Sequence, residues 1–366
     1  MKIKMIRAKM IPQYSTLDYC LCSQDHFVYK FLYANHDLAK VCRIPTKNNS
    51  LVTVLKDVIA RSWLYRTFFS KSFGIRHVVE LPSGVILILY DRIYRYDPTK
   101  HNFCAEVVAT FKELGFSPPL KNGIAIHPIS HNAYFGEYVC GIKKRIRIIK
   151  ISNNGQEVNT CYTFEQDEIQ HVHGVHWDDY RKRLWITTGD SDNECAFYYT
   201  DDEFKTVHKF SGGDQSWRAV SLVFNADNIL WGMDAGKDAP KEAVNYTYKW
   251  NFTSSKRTKL TSFANPTYHS TSTAANETFW GVNFEPGRKQ LTEEAASIWC
   301  SDQHLNWQKL FTLPYKKSVI TGVSRYGYVF LPSGIMPENT LLFNAVNVDE
   351  NNFKLMHVSN IEHVKN

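Results

Sequence analysis

The chain has 366 residues, 43% of them hydrophobic and 14% aromatic, with 43 basic against 36 acidic side chains and a net charge of +7. That is ample apolar material for a core, and the excess of Trp, Tyr and Phe favours strands over a helical bundle. The mild positive charge permits an anionic partner such as an acidic glycan, a nucleotide-sugar or a membrane surface. No Lys/Arg block or reader motif points to nucleic acid.

The N-terminal stretch has no apolar run long enough for a signal peptide, and no segment approaches a membrane-spanning length. Cytoplasmic residence is the resulting expectation. The 8 cysteines are scattered; Cys20 and Cys22 lack a second pair at zinc-ligand spacing.

Short β-rich runs recur along the chain, separated by turn residues. The turns fall at Ala34-Asn35-His36, Pro82-Ser83-Gly84, Ser130-His131-Asn132, Asp179-Tyr180-Arg181, Asn225-Ala226-Asp227, Ala275-Asn276-Glu277 and Arg325-Tyr326-Gly327. After many of them a strand ends in a polar or acidic residue, often beside glycine, as at Trp231-Gly232-Met233-Asp234. The period predicts one all-β propeller over residues 1–366, with about seven blades and six left open by the irregular first repeat. Residues 50–70 break the pattern, with apolar positions at helical spacing and Lys56, Arg61 and Arg66 between them. They predict an amphipathic helix inserted in the first repeat. It would either pack on the propeller's side or lie peripherally on a membrane.

Propeller topology turns this phase into geometry. Residues entering each innermost strand and leaving the second strand meet on one rim around the centre. The entering residues include Arg76, His77, His171, His173, Gln215, Trp217, Arg218 and His269; the leaving ones include Glu137, Asp190, Asp192, Asp234 and Glu285. Strand alternation puts His171 and His173 on one face, suited to metal ligation or acid–base work. Either residue could equally be a hydrogen-bonded core histidine. Glu137, Asp190, Asp192 and Asp234 offer carboxyl pairs of the kind glycoside cleavage needs, or they cap loops and pair with Arg218. Arg76 and Arg218 could grip a carboxylate or phosphate, and Trp217 could face a sugar ring or belong to the core.

Three octamers in phase with the repeat begin at Ile151, Thr200 and Cys300 and keep parts of the Asp-box pattern S/T-x-D-x-G-x-T-W. With them the chain resembles the sialidase-like propellers with BNR repeats. The stretches Tyr134–Tyr138, His171–His176, Thr188–Glu194 and Gln215–Val220 resemble a propeller family of unassigned activity associated with bacterial surface-polysaccharide gene clusters. The resemblance implies a carbohydrate-active propeller in polysaccharide metabolism. It does not imply a sialidase, since no arginine triad is found and Arg43-Ile44-Pro45 lacks the preceding aromatic. Three functions are thereby expected. The first is glycosidic-bond cleavage or transfer, with Glu137, Asp190, His171 and His173 as catalytic candidates. Arg76, His77, Asp192, Gln215, Trp217, Arg218, Asp234, His269 and Glu285 would then contact the glycan or nucleotide-sugar. The second is a non-catalytic glycan- or protein-binding module. The third is a polysaccharide lyase assisted by a divalent metal.

Overall fold

The computed structural model describes residues 1–45, 74–100, 102–290, 292–317 and 325–361. The helix expected over 50–70 lies outside the described residues. Almost all regular structure is strand, and no described helix is long and apolar enough to cross a membrane.

The repeating unit is a four-stranded antiparallel meander. One such unit runs through His171–Asp178, Arg183–Gly189, Ala196–Thr200 and His208–Gly212. Its first hairpin is closed by Asp178, whose carboxylate accepts the backbone N–H groups of Tyr180 (3.0 Å) and Arg181 (3.2 Å) and the indole N–H of Trp185 (3.1 Å). An Asx turn of this kind replaces the pairing that the backbone loses as it reverses. The first two strands are almost wholly buried, whereas the fourth is exposed or half-buried. Burial therefore runs from the ring's centre outward, as radially packed blades require.

The same meander recurs over 77–110, 124–164 and 222–262 as separate sheets. A further four-stranded sheet joins Tyr328–Phe330, Thr340–Val346 and Lys354–Ser359 to the N-terminal strand Lys2–Ala8. Strand Lys2–Ala8 pairs antiparallel with Lys354–Ser359, so the two ends of the chain close the ring together.

Seven equal blades are not what the structure shows. Five four-stranded sheets stand separately, and the remaining strands form one nine-stranded sheet. The cause is the short strand Ser333–Met336. It pairs in parallel with Thr267–Thr273 on one side and Ile11–Ser15 on the other, fusing the meanders 267–314 and 11–43. Two of the expected turns are out of phase. Ala34-Asn35-His36 joins the strands Phe27–Leu32 and Leu38–Arg43, the last pair of its meander, and Arg325-Tyr326-Gly327 precedes the strand Tyr328–Phe330. The other five turns close first hairpins as read.

Two of the octamers build carboxylate-capped turns. Asp202 accepts from the backbone N–H (2.9 Å) and hydroxyl (2.8 Å) of Thr206, with Phe204 at φ 73° where the pattern has glycine. Asp302 accepts from the backbone N–H groups of His304 and Asn306, both at 2.9 Å. Turns of this kind are local chemistry and do not assign the chain to the sialidase-like group.

Candidate functional site

Three rim residues come together at the start of the 171–212 meander. Within His171–Asp178 the pairing slips between Val172 and Gly174, a β-bulge at His173. Bulges re-aim side chains, and here the rings of His171 and His173 lie 4.9 Å apart on one side. Val172 packs against Gly136, where a Cβ would come within 2.3 Å of the valine. Gly189, the residue before Asp190, is also closely packed: its Cβ would meet the His173 ring at 3.0 Å and Arg218 at 3.3 Å. Gly136 thus makes room for Val172 between the two histidines, and Gly189 for the His173 ring.

His171 and His173 are both buried. His171 Nδ1 pairs with the Val139 carbonyl at 2.7 Å, and His173 Nδ1 with the Ala219 carbonyl at 3.1 Å. A carbonyl only accepts, so each Nδ1 carries the proton and each Nε2 is left with a lone pair when the ring is neutral. Both Nε2 atoms face one carboxylate oxygen: Asp190 Oδ1 lies 3.5 Å from His171 and 3.2 Å from His173. Burial lowers the His173 pKa, with Asp190 opposing the shift. Burial raises the Asp190 carboxyl, but the Arg218 charge and the two imidazoles, whenever these are protonated, outweigh it and hold the group well below the usual carboxylate range.

Arg218 anchors the carboxylates. Its Nη2 lies 2.8 Å from Asp190 Oδ1 and 3.0 Å from Asp238 Oδ2, and its Nε is 3.7 Å from Asp234 Oδ2. Asp234 is different in kind. Its carboxyl is pushed well above the usual range by burial and by Glu285, Asp190 and Asp238, against the pull of Arg218. Tyr138 covers the pair, with its ring 4.3 Å from that of His171. Its phenol is raised by burial and by nearby acidic groups that include Asp190 and Asp234.

The other expected residues are distributed as follows. Gln215 donates to the Asp190 carbonyl (2.9 Å) and to Asp192 (2.8 Å), fixing the loop that carries Asp190. Glu285 accepts from the Lys237 backbone at 2.9 Å and from the Tyr268 hydroxyl. His269 pairs through Nε2 with the Tyr328 hydroxyl at 2.8 Å, and burial lowers its pKa to about 3. His77 is buried, and Arg76 is exposed beside it. Glu137 is turned into a separate ion-pair network: Arg147 holds both its oxygens, at 2.9 and 3.0 Å, and Lys144 and the Ser117 backbone N–H hold one, each at 2.8 Å. Trp217 is core, stacked on Trp231 with ring centroids 5.2 Å apart. Tyr138, Asp238 and Tyr328 were not singled out from sequence. Tyr138 had a signal, since it follows Gly136-Glu137 at a strand exit.

The His171, His173 and Asp190 ligand atoms all lie within 4.8 Å of one another. This donor set suits a divalent first-row ion. Its fit rests on two observations: the rings are oriented through Nδ1 by backbone carbonyls, as second-shell partners orient metal ligands, and the buried His171 Nε2 has no hydrogen-bond partner.

No protein-family model matches the chain, and no curated protein matches it in sequence. Solved β-propellers match it in fold. The structure of an oligogalacturonate lyase in complex with manganese is 9% identical, with a TM-score of 0.59, covering 98% of this chain and 93% of that one. The GH74 enzyme of Niastella koreensis is 12% identical, with a TM-score of 0.56, covering 95% of this chain and 53% of its own. A chain of the mitotic checkpoint complex is 9% identical, with a TM-score of 0.52, covering 99% and 94%. Likeness at these identities establishes the β-propeller fold, and the sialidase-like resemblance gains no support from it.

Proposed function

We propose that this propeller is a carbohydrate-active enzyme that cleaves an acidic glycan by metal-assisted elimination, with His171, His173 and Asp190 as the metal ligands. The observation that carries the reading is the pair of Nε2 lone pairs facing the Asp190 carboxylate. Acceptor faces acceptor there, an arrangement that a shared cation resolves. That one of its fold neighbours is a lyase solved with manganese accords with the choice.

Bound at these ligands, a divalent ion supplies Lewis-acid polarisation of the substrate's carboxylate. Arg218 keeps Asp190 ionised and in place, its guanidinium being committed to Asp190 and Asp238. In elimination a solvent-derived base takes the C–H proton next to the carboxylate, the freed electron pair forms the C=C bond as the β C–O bond breaks, and the departing oxygen needs a proton. In this scheme Asp234 gives one, its carboxyl being raised in pKa by burial and neighbouring carboxylates. His173 acts as a ligand in this scheme because its Nε2 is turned to Asp190. A retaining or inverting hydrolysis is less well served, since Glu137 is spent on Arg147 and Lys144.

The test is metal analysis of the purified protein beside the His171→Ala/His173→Ala variant, followed by a screen of uronate-containing polysaccharides for unsaturated product. The reading requires stoichiometric metal that the variant loses, with unsaturated product dependent on it. A metal-free, inactive protein that still binds a glycan would replace it with the binding-module reading.

A further inference from the structure

Arg218 touches Asp190 twice, with Nη2 on Oδ1 at 2.8 Å and Nη1 on the backbone carbonyl at 3.3 Å. A second carboxylate takes the same Nη2: Asp238 accepts from it with both oxygens, at 3.2 and 3.0 Å. The Arg218 Nε is buried and makes no hydrogen bond. A third carboxylate, Asp234, stands 3.7 Å from that Nε. Asp234 is buried, and among the described residues its carboxyl accepts no hydrogen bond. A guanidinium among these groups can be satisfied in two ways. Facing outward, it serves Asp190 and Asp238. Turned inward, it would serve Asp234, a buried acceptor otherwise left without a donor.

Asp238 is half-exposed, so its own place must be fixed by the chain around it. The backbone from Ala235 to Pro240 is tied down at almost every residue. Buried Gln290 donates to the carbonyls of Gly236 (3.2 Å), Ala239 (2.9 Å) and Pro240 (3.2 Å), and Arg288 donates to that of Ala235 (2.9 Å). Glu285 accepts the Lys237 backbone N–H at 2.9 Å, and Asn245 closes two bonds with the Ala235 backbone at 2.9 and 3.1 Å. Asp190, Asp238 and Gln290 each lie in the loop between the second and third strands of their meanders, 171–212, 222–262 and 267–314. Three successive loops of the repeat thus brace one another toward the histidine pair.

We propose that Asp238 is a positioning residue for Asp190. It holds the Arg218 guanidinium against Asp190 and away from Asp234. One carboxylate is thereby kept facing the two imidazoles while the other stays without a close cation. The inference rests on the proposed function in taking Asp190 as a metal ligand, but the place of Arg218 can be read with no metal present.

The test compares the wild type, Asp238→Ala and Asp238→Asn as full chains. Manganese titration, followed by the electron paramagnetic resonance of the free ion, gives the affinity. Metal-free crystal structures give the place of Arg218. Loss of a residue that orients a metal ligand weakens binding about 10- to 100-fold. Asp238→Ala should do so, with its guanidinium turned onto Asp234. Asp238→Asn keeps one acceptor oxygen and the shape of the side chain, and should recover part of the loss. Both variants should melt near the wild type, which separates positioning from a general loosening of the ring. Should Asp238→Ala fail to fold, the same two readouts are taken from Asp238→Asn. Wild-type manganese affinity in Asp238→Ala overturns the proposal, as does an Arg218 that still rests on Asp190. A wild type that binds no manganese removes the metal reading instead, and the place of Arg218 in Asp238→Ala then decides the proposal alone.

Discussion

His173 holds Nε2 3.2 Å from Asp190 Oδ1 while its Nδ1 is committed to the Ala219 carbonyl at 3.1 Å. A neutral ring in that position sets a lone pair against a carboxylate, and His171 does the same from 3.5 Å. One rim loop and one bulged strand thus converge two nitrogens and an oxygen whose mutual repulsion a cation relieves.

A bound ion should therefore stabilise the fold. At an ion concentration a hundred times its dissociation constant, linkage gives about 2.7 kcal/mol. Chelator should lower the wild-type Tm by several degrees, and restored manganese or zinc should raise it. In His171→Ala/His173→Ala neither should move it. A Tm indifferent to chelator and to added ion in the wild type would count against the site.

Glu137 carries the opposite expectation. It is fully buried and held by Arg147, Lys144 and two backbone N–H groups. Removing one side of such a network leaves the others unpaired, at a cost of about 3 kcal/mol. Glu137→Ala should lower the denaturant midpoint accordingly, with the slope of the transition unchanged. Metal content per folded molecule should stay at the wild-type value. A variant as stable as the wild type but lacking activity would instead return Glu137 to the chemistry.

How far the sequence could be read follows from these residues. The meanders were legible because turns such as Asp179-Tyr180-Arg181 lie between alternating runs, and both signals are local. For closure the irregular first repeat pointed to a strand borrowed from residues 1–22, but its partner was not legible, because Lys2–Ala8 pairs with Lys354–Ser359 at the opposite end of the chain. The strand Ser333–Met336 is too short and exposed to announce that it joins two sheets. His171, His173 and Asp190 were legible as candidates since they sit at a strand start and a strand exit. Trp217 reads as a sugar platform from sequence because an aromatic beside Arg218 looks alike whether it faces solvent or, as here, Trp231. Asp238 lies on a loop whose path no periodicity encodes.

The N-terminal strand offers a direct test of closure. Without residues 1–8, the strand Lys354–Ser359 keeps Thr340–Val346 but loses its outer partner along the register from Lys2↔Ser359 to Ala8↔Lys354. An exposed edge invites pairing with another chain. The truncated protein should melt below the wild type and form concentration-dependent oligomers in size-exclusion chromatography with light scattering. A monomer of unchanged Tm would show that this strand contributes little to the ring.

The same seam should be acid-sensitive. His357 lies in Lys354–Ser359 opposite Lys4, packed 4.7 Å from the His36 ring and 5.6 Å from Phe31. Burial first, then the His36 and Lys4 charges, lowers its pKa to about 4. A histidine whose folded pKa lies below its unfolded value near 6.5 is one the unfolded chain protonates more readily. Its contribution is full above about pH 6.5 and is lost progressively as the pH falls toward 4, by an amount on the order of 3 kcal/mol. His176 and His269, both lowered to about 3 by burial, add to the same slope. The unfolding free energy should therefore decline between pH 6.5 and 4. Because His357 packs edge-on and tilted among aromatic rings, His357→Phe keeps the packing and removes the protonation, so it should flatten that decline. An identical pH profile in the variant would place the acid sensitivity elsewhere in the ring.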